Sequence, residues 1–207
     1  MGEAEVALAR TRTPAEYQQV LGSSLEEYAR LARMIDSLLF LARAESPETH
    51  IERRPLDARK ELEALREFYD AVAEEHEVGV SCQGHAVVHA DPILFPRAVS
   101  NLLANALHYT PRGGKVTLSV TPAEDHTILV RVTDTGVGIA PEHLPKIFDR
   151  FYRVDPARSH HHPGMGLGLA IVKSILDLHG GTVTVQSVPH QGTTTTLMFP
   201  PPASARR

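Results

Sequence analysis

The sequence has very little cysteine and no long apolar run. Its single cysteine, Cys82, cannot form a disulfide within the chain, which fits a reducing cytoplasm. No apolar stretch approaches the roughly 20 residues that a membrane-spanning helix needs, and no signal peptide begins the chain. We therefore expect a cytoplasmic region without a transmembrane helix of its own.

Basic charge is also scarce. The 207 residues carry 21 Lys and Arg against 25 Asp and Glu, a formal net charge of −4, and no long basic stretch appears. Nucleic acid is therefore not an expected partner. Hydrophobic residues make up 42% of the chain, which is enough for the core of one ordinary domain plus a smaller element.

What the sequence does contain is two glycine-rich segments in its second half. The first, Asp134-Thr135-Gly136-Val137-Gly138, follows a β-rich apolar run, so Asp134 is expected where the chain leaves a sheet. A carboxylate there can accept a hydrogen bond from an exocyclic amine such as that of adenine. Gly136 and Gly138 would keep side chains away from a flat base. An ordinary turn containing aspartate is the alternative.

The second segment, Gly164-Met165-Gly166-Leu167-Gly168, opens a run whose apolar residues have helical spacing. A glycine loop at a helix N-terminus offers free N–H groups and the positive end of the helix dipole, which favour phosphate. It is not a Walker loop, because no Gly-Lys-Ser/Thr follows, and the G-x-G-x-x-G dinucleotide spacing is absent. A glycine-rich surface loop without a ligand is the alternative.

Two asparagines lie on the helix predicted for residues 92–109. Asp91 fits its N-terminal cap, and Pro96 could kink the first turn. Asn101 and Asn105 are four residues apart and therefore share one face. Their amide oxygens are suitable ligands for Mg²⁺, although two exposed polar residues on a surface helix would give the same pattern.

In this order the segments resemble the C-terminal part of a membrane sensor histidine kinase of a two-component system. The resemblance covers residues from about Leu8 to about Pro200. The phrase Arg43-Ala44-Glu45 resembles the heavy-metal (copper or silver) branch, in which a metal would be sensed upstream. The matching motifs are an N box at 100–111, a first glycine box at 134–139, an F box at 147–153 and a second glycine box at 164–171.

The resemblance implies a role for each matching residue. Asn105 would hold Mg²⁺, with Asn101 beside it near the phosphates of ATP, and Arg153 would reach the γ-phosphate. The adenine would meet Asp134 and lie on or beside Tyr109. The other residues implied in nucleotide binding border the base or the phosphates: His108, Gly136, Gly138, Gly164, Gly166, Leu167 and Gly168.

Two of these positions bear on the reaction. His108 stands where many family members carry Lys or Arg, and a neutral imidazole is a weaker phosphate partner. Asn101 stands where related ATPases that hydrolyse ATP carry Glu, and an amide cannot act as a general base for water. The resemblance therefore implies phosphoryl transfer to a protein rather than hydrolysis.

The N-terminal 45 residues differ in character from the rest. A leucine-rich stripe predicts a long bundle or coiled-coil helix, preceded at residues 3–10 by the end of an antiparallel helix. A plain amphipathic helix packed on its own domain is the alternative. An exposed stripe should pair with a second copy, and in the family such a hairpin is the dimerisation and phosphotransfer domain.

The phosphoacceptor box of that domain is not recognisable among the twelve histidines. His50 precedes Pro55 at the right spacing, but it lacks the acidic neighbour and follows the second bundle helix. We therefore expect the sequence to begin after the box, with the sensor domain and transmembrane helices upstream. A fragment of this kind should not autophosphorylate alone.

The predicted fold is an α+β two-layer sandwich of the histidine kinase/gyrase-type ATP-binding class, preceded by an α-helical hairpin fragment. The hairpin is assigned to residues 1–46 and the ATP-binding domain to residues 47–207, with a mobile lid at 144–166. Helices are expected on one face of a mixed sheet, at 58–75, 92–109 and 167–179. Strands are expected at 51–54, 78–83, 86–89, 115–121, 127–134, 182–187 and 193–199.

The predicted function is the cytoplasmic kinase region of an inner-membrane protein-histidine kinase. It would bind Mg²⁺ and ATP, form a homodimer through its N-terminal helices and serve a response regulator. One alternative is a free-standing ATPase or anti-sigma-type serine kinase of the same superfamily, against which the F box and bundle helices argue. The other is a non-enzymatic protein whose tract at residues 160–162 binds metal, but adjacent histidines in a loop lack fixed ligand geometry.

Overall fold

The computed structural model describes residues 13–46, 48–154 and 165–202. The chain divides into two compact units, the first ending at Ala42 and the second beginning at Arg43. Every helix within the described ranges is too short or too polar to cross a bilayer. The helix expected at residues 3–10 and the central part of the expected lid lie outside these ranges.

A single long helix, α1 (Pro14–Ala44), dominates the described part of the first unit. Thr13 and Glu16 form a reciprocal cap at its start: the Glu16 carboxylate accepts from the Thr13 N–H at 2.7 Å, and the Thr13 hydroxyl accepts from the Glu16 N–H at 3.3 Å. The long helix predicted from the leucine stripe is therefore present, and its apolar side chains are largely exposed.

The second unit alternates helices and strands. Its described helices are α2 (Ala58–Phe68), α3 (Asp70–Glu75), α4 (Leu94–Tyr109) and α5 (Gly168–Leu178). Its described strands are β1 (Arg54–Asp57), β2 (Gly79–Gly84), β3 (Val87–Ala90), β4 (Lys115–Pro122), β5 (Ile128–Asp134), β6 (Thr182–Val188) and β7 (Gly192–Phe199). A short 3-10 turn at Leu144–Lys146 lies between β5 and α5.

Five of these strands form the mixed sheet, in the order β2-β4-β5-β7-β6, with β2 parallel to β4 and the other neighbours antiparallel. This confirms the predicted α+β architecture. Strands β1 and β3 instead form a separate antiparallel pair, with Arg54 opposite Ala90. Strand β1 also lies later than the expected 51–54 and ends at Asp57, whose carboxylate then caps α2 by accepting from the Lys60 N–H at 3.1 Å.

The core lies between the helices and one face of this sheet. Three rows of side chains, apolar apart from Thr195, cross the sheet on that face. Two run over β4, β5, β7 and β6, as Val120-Val130-Leu197-Val183 and Leu118-Val132-Thr195-Val185, and the third lies at the sheet end, as Pro122-Ile128-Phe199. Phe95 of α4 lies over the last of these rows, with its ring centre 5.4 Å from that of Phe199. Full burial of one such side chain contributes about 1.5–3 kcal/mol.

Two helices differ from their predicted extent. The helix expected over 58–75 is broken at Tyr69, whose hydroxyl hydrogen-bonds to the Ser100 hydroxyl on α4 at 2.9 Å. Helix α4 begins at Leu94, where the Asp91 carboxylate accepts from the backbone N–H of Leu94 at 3.0 Å. Pro96 lies in the first turn, where a missing N–H removes no helical hydrogen bond.

Candidate functional site

Asp134 ends strand β5 on the helix-covered face of the sheet. Its Oδ1 accepts hydrogen bonds from the backbone N–H groups of Gly136, at 2.8 Å, and Thr193, at 3.2 Å. Within the described residues no hydrogen bond reaches Oδ2. Burial raises the pKa of this carboxyl, and the two backbone hydrogen bonds oppose the rise. One oxygen is thus held in place and the other can accept from a ligand amine.

The first glycine box packs between the backbone of Tyr109 on one side and that of Val188 on the other. On one side the Val137 N–H donates to the Tyr109 carbonyl at 3.2 Å, and a Cβ on Gly136 would lie 2.6 Å from that oxygen. On the other side Gly138 has a φ of +69°, and a Cβ there would overlap the carbonyl of Val188. Neither position has room for a side chain, so only glycine allows the turn to approach the neighbouring backbone this closely.

Asn101 and Asn105 lie against the start of α5. A Cβ on Gly168 would be 3.1 Å from Oδ1 of Asn101 and 3.9 Å from Nδ2 of Asn105. The Asn101 amide donates to the Arg97 carbonyl at 2.8 Å, which turns its oxygen toward Gly168. No described side chain caps the N-terminus of α5. The N–H groups at the start of α5 and two amides therefore lie close together here.

The F box contacts the second glycine box through its backbone. The Phe151 N–H donates to the Gly166 carbonyl at 2.8 Å, and both residues have a positive φ, +65° and +69°. A Cβ on Gly166 would lie 2.7 Å from the Phe151 carbonyl carbon. Arg153 follows this fixed segment and is partly buried. Gly164 and the tract at 160–162 lie outside the described residues.

Tyr109 and His108 end the helix that carries the asparagines. Tyr109, whose backbone carbonyl contacts the glycine turn, is 53% exposed, and the His108 ring meets the Tyr109 ring edge-on with centres 4.7 Å apart. The hydroxyl of Thr110 donates to the Ala106 carbonyl at 2.6 Å and ends the helix. An exposed aromatic ring on a residue that contacts the glycine turn is suited to a planar base.

The sheet register brings two further residues to the site that the sequence patterns did not single out. Thr193 on β7 lies directly opposite Asp134, and Ser187 on β6 lies directly opposite Thr193. Their oxygens are 2.8 Å apart. The alternation of β7, in which Thr195 and Leu197 are buried, places Thr193 on the same face and is the signal that could have identified it.

A sequence profile of the family described as "Histidine kinase-, DNA gyrase B-, and HSP90-like ATPase" matches residues 90–203. The match begins just before α4 and continues past β7, so it includes the asparagines, both glycine boxes, the F box and the row of Asp134, Thr193 and Ser187.

Individual relatives agree with this match. Sensor protein IrlS of Burkholderia pseudomallei (strain K96243) is 48% identical over 200 residues, which are 97% of this chain and 43% of IrlS. The solved mycobacterial sensor histidine kinase MprB is 30% identical, with a TM-score of 0.61 over 72% of this chain and 97% of that structure. Full-length ShkA in complex with AMPPNP is 25% identical, with a TM-score of 0.78 over 93% of this chain and 40% of that one. The chain thus spans less than half the length of IrlS.

Proposed function

Because the chain belongs to the histidine kinase-, DNA gyrase B- and HSP90-like ATPases, and within them to the sensor histidine kinases, we propose that it transfers the γ-phosphate of Mg-ATP to a histidine of a bundle helix. That histidine would lie on a segment this chain does not contain, and the phosphate would pass on to a response regulator. The observation that carries the proposal is the contact between the Asn pair of α4 and the glycine that opens α5.

The base would bind at the sheet end of the site. Asp134 Oδ2 is placed to accept from the adenine amine, since Oδ1 already accepts from two backbone N–H groups. A guanine oxygen would meet the same carboxylate with repulsion, which favours adenine over guanine. Gly136 and Gly138 add no side chains to this turn, and Tyr109 offers an exposed aromatic ring.

The phosphates would bind at the start of α5. The helix N-terminus at Gly168 provides N–H donors and a favourable dipole, and Gly166, Leu167 and the undescribed Gly164 would border the same space. Asn105 fits a Mg²⁺ ligand because its amide lies beside this helix end. Bound Mg²⁺ would neutralise phosphate charge. Arg153 would add a positive charge at the γ-phosphate, and His108 a weaker contact.

Transfer to a protein is favoured over hydrolysis by the side chain at position 101. Asn101 donates its amide to a backbone carbonyl and presents a neutral oxygen to Gly168. A neutral amide cannot take a proton from water, so the chain's own residues supply binding and orientation but no general base for an attacking water.

The first unit would serve dimerisation. We assign residues 1–46 to a partial phosphotransfer hairpin and residues 47–207 to the ATP-binding domain. The described helix α1 exposes apolar side chains at a coiled-coil spacing: Leu21 63%, Leu25 68%, Tyr28 64%, Ile35 57% and Leu39 52% exposed. Such a stripe suits a second copy of the same helix. Membrane attachment would come only from upstream segments of the whole protein, with this region on the cytoplasmic side of the inner membrane.

A phosphotransfer assay tests the proposal. The chain is incubated with radiolabelled Mg-ATP and a purified bundle domain that carries the phosphoacceptor helix. Acid-labile, base-stable phosphate is expected on the added domain and none on the chain itself. Label on the chain that disappears in His50→Ala would show that His50 is an acceptor, and release of free phosphate without the added domain would favour an ATPase.

A further inference from the structure

On the helix-covered face of the sheet, the last row of side chains is mostly polar, whereas the inner rows are mostly apolar. The inner rows across β4, β5, β7 and β6 are apolar apart from Thr195. The row at the carboxyl end of β5 begins with Val116 and then continues as Asp134, Thr193 and Ser187. Three polar side chains on neighbouring strands therefore lie in line at the edge where the first glycine box leaves the sheet.

Ser187 sits at the end of this row and has every hydrogen-bonding position filled. Its Oγ accepts from the Ile139 backbone N–H at 2.8 Å and donates to the Gly192 carbonyl at 3.0 Å. The Thr193 hydroxyl lies 2.8 Å away and can donate to the remaining lone pair. One serine hydroxyl thus joins the residue that ends the first glycine box to the β6–β7 hairpin.

The other end of the glycine box is held by Asp134. Gly136 and Thr193 both donate backbone N–H groups to its Oδ1. The contacts close a ring that runs from Asp134 through the turn to Ile139, across Ser187 to Thr193, and back to Asp134. Displacing any member shifts the carboxylate relative to the turn.

We propose that Ser187 is a positioning residue for base recognition, which holds the first glycine box and the Asp134 carboxylate in the relative positions that an adenine amine requires. This inference rests on the proposed nucleotide site. It concerns the base end alone, so the phosphate contacts made through Asn105 and Gly168 should not depend on Ser187.

Ser187→Ala tests the inference through the preference between two nucleotides. ATP carries the 6-amino group and ITP carries an oxygen in its place, while the ribose and phosphates are identical. Affinities of the parent chain and the variant are measured by titration calorimetry with Mg²⁺ present. We expect the ATP-to-ITP affinity ratio to fall about fivefold to tenfold, the size of one lost hydrogen bond, with the ITP affinity nearly unchanged.

Two further variants separate positioning from general damage. Thr133→Ala removes a hydroxyl that also pairs with a β7 threonine, Thr194, at 3.1 Å, but on the exposed face of the sheet, and it should leave the ratio unchanged. Ser187→Thr keeps the hydroxyl and should restore most of the ratio. Amide exchange at Ile139, measured by NMR, should accelerate in Ser187→Ala and not in Thr133→Ala.

The outcomes are distinct. A Ser187→Ala chain with the parent's ATP-to-ITP ratio overturns the inference while leaving the nucleotide site intact, and so does an equal loss of both affinities. A parent chain that binds neither nucleotide refutes the proposed function and the inference with it. A lowered ratio together with faster Ile139 exchange supports the inference.

Discussion

The two glycine boxes are anchored to different kinds of structure. The first is tied to the end of α4 and to strands β6 and β7 by backbone and side-chain hydrogen bonds. The second is tied to the F box through the Phe151–Gly166 backbone bond and meets α4 through asparagine side chains. We therefore expect the base end to open only when the sheet opens, and the phosphate end to open in smaller local steps.

The largest effect is expected at the phosphate end. Asn105→Ala should reduce phosphotransfer about 100-fold or more, because a Mg²⁺ ligand and the charge neutralisation it secures are lost. The measurement is label transfer to an added bundle domain. Gln186→Ala, which removes an exposed amide from the solvent face of β6, is the matched control. Transfer at the parent rate in Asn105→Ala would remove Asn105 from the metal site.

A smaller but specific effect is expected at the base end. Asp134→Asn replaces a carboxylate acceptor by an amide and should weaken ATP binding by about 1.5–3 kcal/mol, the range for hydrogen bonds to charged groups. Calorimetric titrations with ATP and GTP give the comparison. Asp125→Asn, in the turn before the other end of β5, should leave both affinities unchanged. Equal affinity of the parent chain for ATP and GTP would contradict the role of Asp134.

A third prediction concerns His179, which follows the C-terminal end of α5 and lies away from both glycine boxes. The buried His179 donates from Nδ1 to the Ile175 carbonyl at 2.7 Å and accepts at Nε2 from the Asp91 N–H at 2.9 Å. Only the neutral ring can do both. Burial lowers the pKa of His179 below its ordinary value, with Arg53 adding to the effect and the Ile175 carbonyl and Asp91 opposing it.

The sign of the pH dependence follows from that direction. The unfolded chain takes up the proton first as pH falls, so the stabilisation is complete above about pH 6.5 and is lost toward the lower pKa of the folded state. Urea unfolding between pH 8 and pH 5, about the range in which histidine titrates, should show this decline. His179→Phe should cost about 1–3 kcal/mol at neutral pH and flatten the decline. The control variant His85→Phe changes an exposed histidine and should neither lower the stability by this amount nor flatten the decline. A decline of equal size in both variants would exclude His179 as its source.

The smallest effect is expected from the histidine tract. Replacing residues 160–162 together by serine should leave ATP affinity within a few fold, because the sequence assigns these histidines no ligand role. Titrations with and without Zn²⁺ or Cu²⁺ provide the check. A large loss of affinity, or activity that depends on metal and disappears in the variant, would make the tract a regulatory site.

Local patterns predicted most of the helices, the strands and the mixed sheet, because amphipathic periodicity and the glycines at turns can be read from short segments of sequence. The four boxes predicted the candidate site residues, whose roles stay predictions, and in the structure Gly168 lies against Asn101. The pairing of β1 with β3 was not predicted, because alternation identifies a strand but not its neighbour. Ser187 was not identified for the same reason, because its place in line with Asp134 depends on the register of the β5–β7 and β6–β7 pairs.

The break at Tyr69 has a similar origin. The helical period continues across it, while in the structure the Tyr69 hydroxyl contacts Ser100, far along the chain. Contacts of this kind depend on tertiary geometry and leave no trace in a window of neighbouring residues.

The glycines also set how the molecule tolerates mutation. At Gly138 and Gly166 the backbone has a positive φ and a Cβ would strike backbone atoms, so every substitution is opposed twice. Gly22, inside α1, has nothing within 4 Å and should accept alanine with a gain of about 0.5–1 kcal/mol. A saturation library scored only for folding would therefore mark Gly138 and Gly166 as intolerant before any ligand was added, together with glycines outside the site such as Gly84.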